Sequence, residues 1–175
     1  MLPERRFYAP GWLLGASLGL IAVLSGCGLA PVYSGGSTGA AVASFAQIAV
    51  APIPERSGFL VRQALIDRLG KTAADPRYRL EVELDDQIVA FGVRGDNSAA
   101  RERRTLRARY RLVEAATDTV VLDATAGADS GIDRVSSNYA VVAAEATALE
   151  RLSIAIARQI TARVALFARS KATTP

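Results

Sequence analysis

An α+β fold, two helices packed on one face of a four-stranded sheet in the order β-α-β-β-β-α, is predicted by three features of this 175-residue chain. The apolar spacing is helical near residue 60, alternates with period two from Tyr78, and turns helical again from Tyr139. Each strand so read has one apolar side and each helix one apolar stripe. Packing both helices on one side of the sheet buries all of these surfaces and leaves the second sheet face polar and open.

The elements follow in order. Phe45 to Ala51 (FAQIAVA) reads as a first strand, halted by Pro52 and Pro54. Ser57 is placed to cap a helix with Leu60, Val61, Ala64, Leu65 and Leu69 on one face and Gly70 at its end. From Tyr78, Leu80, Val82, Leu84, Ile88 and Ala90 point one way, and Arg79, Glu81, Glu83 and Asp85 the other. Gly95 to Ser98 reads as a turn. On the return strand Leu106, Ala108, Tyr110 and Leu112 face the core, and Arg101, Arg103, Arg107, Arg109 and Arg111 face away. A turn at Ala116 to Thr119 leads to a strand with Val120, Leu122, Ala124 and Ala126 inward. The last helix, Tyr139 to Phe167, carries the stripe Val142, Leu149, Leu152, Ile156, Ile160, Val164 and Phe167.

Ahead of this domain lies a leader. Arg5 and Arg6 precede thirteen uncharged residues, Gly11 to Val23. That run is shorter than the ~20 residues a helix needs to span a bilayer, and it suits a secretory signal peptide. Leu24-Ser25-Gly26-Cys27 then resembles a bacterial lipobox, which implies cleavage before Cys27 and lipid on its thiol and new amino terminus. The alternative is a free cysteine near an ordinary cleavage site. Several acyl chains hold a protein to a membrane stably where one does so only marginally. Gly28, rather than Asp, favours sorting to the outer membrane by resemblance to bacterial lipoproteins. The expected organisation is a signal peptide over 1–26, a lipidated flexible tether over 27–44 that includes SGGSTGAAVAS, one domain over 45–169, and a frayed end over 170–175.

Composition narrows the chemistry. The net charge of +4 falls by one when Glu4, Arg5 and Arg6 leave with the signal peptide, a mild excess that does not point to nucleic acid. Nearly all the cations are arginine, whose planar fork suits phosphate and carboxylate. Cys27 is the only cysteine, so a lipidated chain forms no disulfide of its own. No histidine is present, which removes Ser–His and Cys–His catalysis and the usual zinc sites. Gly127 to Gly131 (GADSG) is spaced like a serine nucleophile loop, but without a histidine it reads as a strand-ending turn. Arg94-Gly95-Asp96 reads as a loop. The expectation is no catalytic residue, no metal and no cofactor.

Cys27-Gly28-Leu29-Ala30-Pro31-Val32-Tyr33 resembles the C-G-x-x-P-[LV]-Y opening of lipopolysaccharide-assembly lipoproteins, the LptE type in its alphaproteobacterial style. The element order is similar, as are Ile53-Pro54 with Arg56-Ser57-Gly58 before the first helix, the Arg-rich third strand, and Ser137-Asn138-Tyr139-Ala140 before the last helix. Family members often carry longer polar tails than the residues after Phe167. The resemblance implies an outer-membrane lipoprotein, lipid-anchored and facing the periplasm. It would help a large β-barrel protein assemble, plug it, and contact lipopolysaccharide. The competing class is an auxiliary lipoprotein of an envelope lipid or solute transporter of the ABC type. Two readings of the arginine stripe stand open. In one, Glu83 and Asp85 pair with Arg109 or Arg111 as a cross-strand ladder. In the other, Arg101, Arg103 and Arg104 at the hairpin tip face Val89, Phe91 and Val93 without acids and bind lipid phosphates. The resemblance adds Arg94, in the hairpin, and Arg134 is a second candidate in the loop before the last helix.

Overall fold

The computed structural model describes residues 44–93 and 99–173. The signal peptide, Cys27, the tether up to residue 43, the hairpin turn with Arg94, and residues 174–175 lie outside the described residues. The elements are β1 (Ile48–Val50), α1 (Glu55–Leu69), β2 (Tyr78–Val93), β3 (Ala99–Glu114), β4 (Thr119–Asp133) and α2 (Asn138–Thr173). They form one mixed sheet in the order β1-β2-β3-β4. β1 runs parallel to β2, and the other neighbours are antiparallel. This is the predicted α+β fold. The connection from β1 to β2 needs a crossover because the two are parallel, and α1 supplies it.

The core lies between the sheet and the helices. Leu80, Val82, Leu106, Ala108, Tyr110 and Leu112 are buried on the helix-facing side, as the period-two pattern predicts. Leu84 is only half-buried, and Ile88 is 43% exposed, because the long β2–β3 hairpin runs on beyond the helices. Val61, Leu65 and Leu69 of α1 meet this side together with Leu149, Leu152, Ile156, Ile160 and Val164 of α2. Ser153 and Thr161 are buried on α2, and each hydroxyl donates to the carbonyl four residues back, Leu149 and Ala157, at 2.8 Å. Their small size lets the helices pack closely without stranding a polar group.

Several boundaries differ from the pattern. The first strand is only Ile48–Val50, and Phe45 is buried just before it in a helical turn. α1 begins at Glu55, with Pro54 as its N-cap and no side-chain cap. Ser57 therefore does not cap it; it is buried in the first turn. Gly70 does close α1, at φ 79°, with its N–H donating to Ile66 O at 2.9 Å. Gly58 has a steric reason: a Cβ there would stand 2.7 Å from the Ile53 carbonyl oxygen. The R-x-G triplet is thus a close crossing of the helix start over the chain that leads into it.

Gly127 to Gly131 is not a turn. β4 runs through it to Asp133, in unbroken register with β3. Paired backbone on β3 outweighs the weak strand preference of two glycines. On α2 the inward residue of the first turn is Val141; Val142 is 63% exposed. Ser137 caps the helix, its Oγ accepting from the N–H of Ala140 at 3.4 Å. α2 also continues past Phe167 to Thr173, so residues 170–173 are helical.

Candidate anion-binding surface

β3 alternates arginine with core residues, so its odd-numbered arginines share the open face of the sheet. Most are paired. Arg111 reaches Glu83 at 3.1 Å and Glu81 at 3.4 Å. Arg109 pairs with Asp123 of β4 at 2.7 Å, although Glu83 is its direct neighbour on β2. Arg79 holds Glu81 and Asp118, and Arg77 holds Glu114. The ladder therefore spans three strands. Its hydrogen bonds set the protonation of its acids: Arg109 holds the Asp123 carboxyl below its ordinary value, and Arg77 with Thr117 does so for Glu114.

The tip is not the uncompensated cluster that adjacency of its arginines suggests. Arg101 pairs with Asp133 at 2.9 Å, because β4 extends far enough to set the two directly opposite. Arg104, at an even position, turns to the helix side. It bonds both oxygens of Asp86, at 2.7 and 2.9 Å, and donates to the Glu145 carbonyl of α2 at 3.0 Å. Both side chains of that pair are largely covered, and the bond to Asp86 raises the arginine's pKa against the opposing effect of burial. Arg134 bonds the buried Glu102 at 2.7 Å, tying the lead-in of α2 to β3. Arg94 lies outside the described residues.

Of the β3 arginines, two have no carboxylate partner among the described residues: Arg103, from the predicted set, and Arg107, which adjacency alone does not single out. Arg103 lies 5.5 Å over the ring of Phe91. Arg107 faces Asp85 in the register, yet Asp85 accepts from Gln87 instead, at 3.1 Å. On the β4 side, Arg103 stands across from Gly131 and Arg107 from Gly127. A Cβ added to either glycine would meet nothing within 4 Å. Glycine opposite arginine is the sequence signal for these open positions, and it becomes readable only with the β3–β4 register. Val89 and Phe91 flank Arg103 on the same face and are 58% and 41% exposed. The surface thus sets two open guanidiniums beside apolar side chains, an arrangement suited to an amphiphilic anion.

Among the described residues no group of three acidic, cysteine or histidine side chains is placed to hold a metal, and no helix is long and apolar enough to cross a membrane. Among solved structures the fold is similar to a lipoprotein from Caulobacter crescentus, with 27% identity and a TM-score of 0.64 over 76% of this chain and 98% of that one. It is also similar to a minor lipoprotein from Acinetobacter baumannii, at 13% identity and TM-score 0.55 over 69% and 92% of the two chains. A third, lipoprotein B from Nitrosomonas europaea, aligns at 12% identity and TM-score 0.54 over 70% and 82%. The last two show a shared fold alone. No curated protein matches the sequence. The lipopolysaccharide-assembly family, LptE, matches residues 45–164, from the buried Phe45 through the hairpin and its arginine ladder to the buried Val164. This chain belongs to that family.

Proposed function

We propose that this lipopolysaccharide-assembly protein is anchored to the outer membrane through a lipidated Cys27 and faces the periplasm. There it helps a β-barrel translocon assemble, plugs its lumen, and contacts lipopolysaccharide bound for the cell surface. The role is binding and scaffolding, without catalysis. The observation that supports direct binding is the pair Arg103 and Arg107, open on the sheet face beside Val89 and Phe91. Lipid A joins phosphates to acyl chains, and this surface offers a partner for each. Arg101, although paired with Asp133, lies on the same face nearer the hairpin turn, and Arg94 stays a candidate from the family resemblance. Arg104 and Arg134 support it from behind through Asp86 and Glu102.

Binding of purified protein to lipopolysaccharide tests this reading. Replacing Arg103 and Arg107 together with Ser is expected to weaken affinity roughly tenfold, the scale of losing two exposed charge pairs. Wild-type affinity is expected to fall with added salt, since exposed charges are screened over ~8 Å at physiological ionic strength. Unchanged affinity in the folded double variant rejects the sheet face and leaves Arg94 and the turn. Copurification from solubilised outer membranes tests the barrel partner. Fatty-acid labelling that disappears in Cys27→Ala tests the anchor.

A further inference from the structure

β4 is the outer strand of the sheet, and among the described residues one point along its free edge is closed. Gln159 of α2 donates from Nε2 to the Gly127 carbonyl at 3.0 Å and accepts from the Gly127 N–H at 3.3 Å. A side-chain amide there takes both bonds that a neighbouring strand would make. Gly127 therefore turns both of its backbone groups away from β3. Strand alternation then turns the N–H and C=O of Asp129, Gly131 and Asp133 to the same free edge. Outside the strand ladder, no backbone hydrogen bond to these groups is found among the described residues.

Beside this stretch runs a groove of about 350 Å³ between β4 and α2, lined among others by Ser130, Gly131, Ala144, Thr147, Ala148 and Arg151. The helix wall is made of small side chains, which leaves room for those of an added strand. Gly131 keeps the opposite flank bare. Arg151 is exposed at the groove and has no ion-pair partner among the described residues. Open edges are commonly blunted by charge or covered; here Gln159 covers the middle and leaves the far half open.

We infer that the edge of β4 from Asp129 to Asp133 is a docking site for an extended polypeptide segment that carries a carboxylate. The segment adds as a fifth strand, its backbone bonded to Asp129, Gly131 and Asp133 and its acid paired with Arg151. Edge addition draws affinity from main-chain bonds and specificity from the side-chain groove. The clamp at Gly127 limits the segment to about five residues, roughly 17 Å of strand. This site is separate from the arginine face and does not depend on lipopolysaccharide binding there.

The test uses the full chain in detergent and two synthetic peptides, Ac-TVEVTVT-amide and Ac-TVKVTVT-amide. Hydrogen exchange is expected to slow at Gly131 and Asp133 when the acidic peptide is added. The basic peptide is expected to bind roughly fivefold more weakly, about 1 kcal/mol at 1.4 kcal/mol per factor of ten, the scale of one exposed charge pair. Arg151→Glu is expected to reverse that preference with the melting curve unchanged. Absence of protection along the β4 edge with either peptide overturns the site, and equal binding of both overturns the role of Arg151. Slowed exchange on raising the protein concentration without peptide identifies a second copy of the chain as the occupant and overturns the partner proposed.

Discussion

Arg103 and Arg104 are consecutive and meet opposite conditions. The pleat sends Arg103 to water and Arg104 to the helix side, where Asp86 must accompany it. Removing one member of a covered pair leaves the other desolvated and unpaired, which costs about 3–5 kcal/mol at fully buried sites. Arg104→Ala and Asp86→Ala are each expected to lose a few kcal/mol in denaturant melts, and the double variant less than their sum. Arg101→Ser removes an exposed pair with Asp133 and is expected to cost at most about 1 kcal/mol. Gly58→Ala places a methyl against the Ile53 carbonyl, and overpacking of that kind costs about 1–3 kcal/mol. The same melts read both.

At the scale of elements, the long hairpin divides into two halves with different tasks. Its near half is core: Leu80 and Leu106 are fully buried, and truncating either to Ala is expected to cost about 2–5 kcal/mol. Leu84, half-buried where the helices thin out, is expected to lose less. The far half presents Val89 and Phe91 to solvent with the open arginines, so changes at these exposed side chains, unlike those at the covered Arg104–Asp86 pair, are expected to alter ligand binding more than stability. Equal losses at Leu80 and Glu83 in denaturant melts would mean that the strand faces the other way.

For the whole molecule, the ladder sets the response to acid. Asp123 and Glu114 have folded pKa values below the ordinary carboxylate range because arginine donors favour their charged forms. A depressed folded pKa stabilises the native state above the unfolded value, ordinarily about 4, and that contribution is lost as pH falls through the lower folded value. Stability to denaturant is therefore expected to hold from neutral pH to about 4 and to decline below it. Tyr110 acts at the other limit: burial raises its pKa, so its contribution is present below the ordinary value of about 10 and is lost as pH rises beyond it. The described core begins at Phe45, so a chain lacking residues 1–43 is expected to unfold as one cooperative transition in the same denaturant titration.

Periodicity by itself determined the element types, the inward set on β2 and β3, and the presence of an outward arginine stripe. Those properties follow from geometry that every residue of an element shares, and the apolar spacing records it directly. Cys27 and its lipobox likeness are equally local. Which arginines are neutralised was decided by tertiary structure. Asp133 meets Arg101 only because β4 pairs with β3 through two glycines that favour turns, and Asp123 meets Arg109 only through the β3–β4 register. Glu145 lends its carbonyl to Arg104 only because α2 crosses that point. The exchange of Val142 for Val141 is confined to the first turn of α2, where packing against the sheet selects the inward residue while Leu149 to Val164 keep the predicted stripe. An ion pair depends on the distance between two side chains from different elements, and that distance is set by register and packing, which composition and spacing along one chain do not encode.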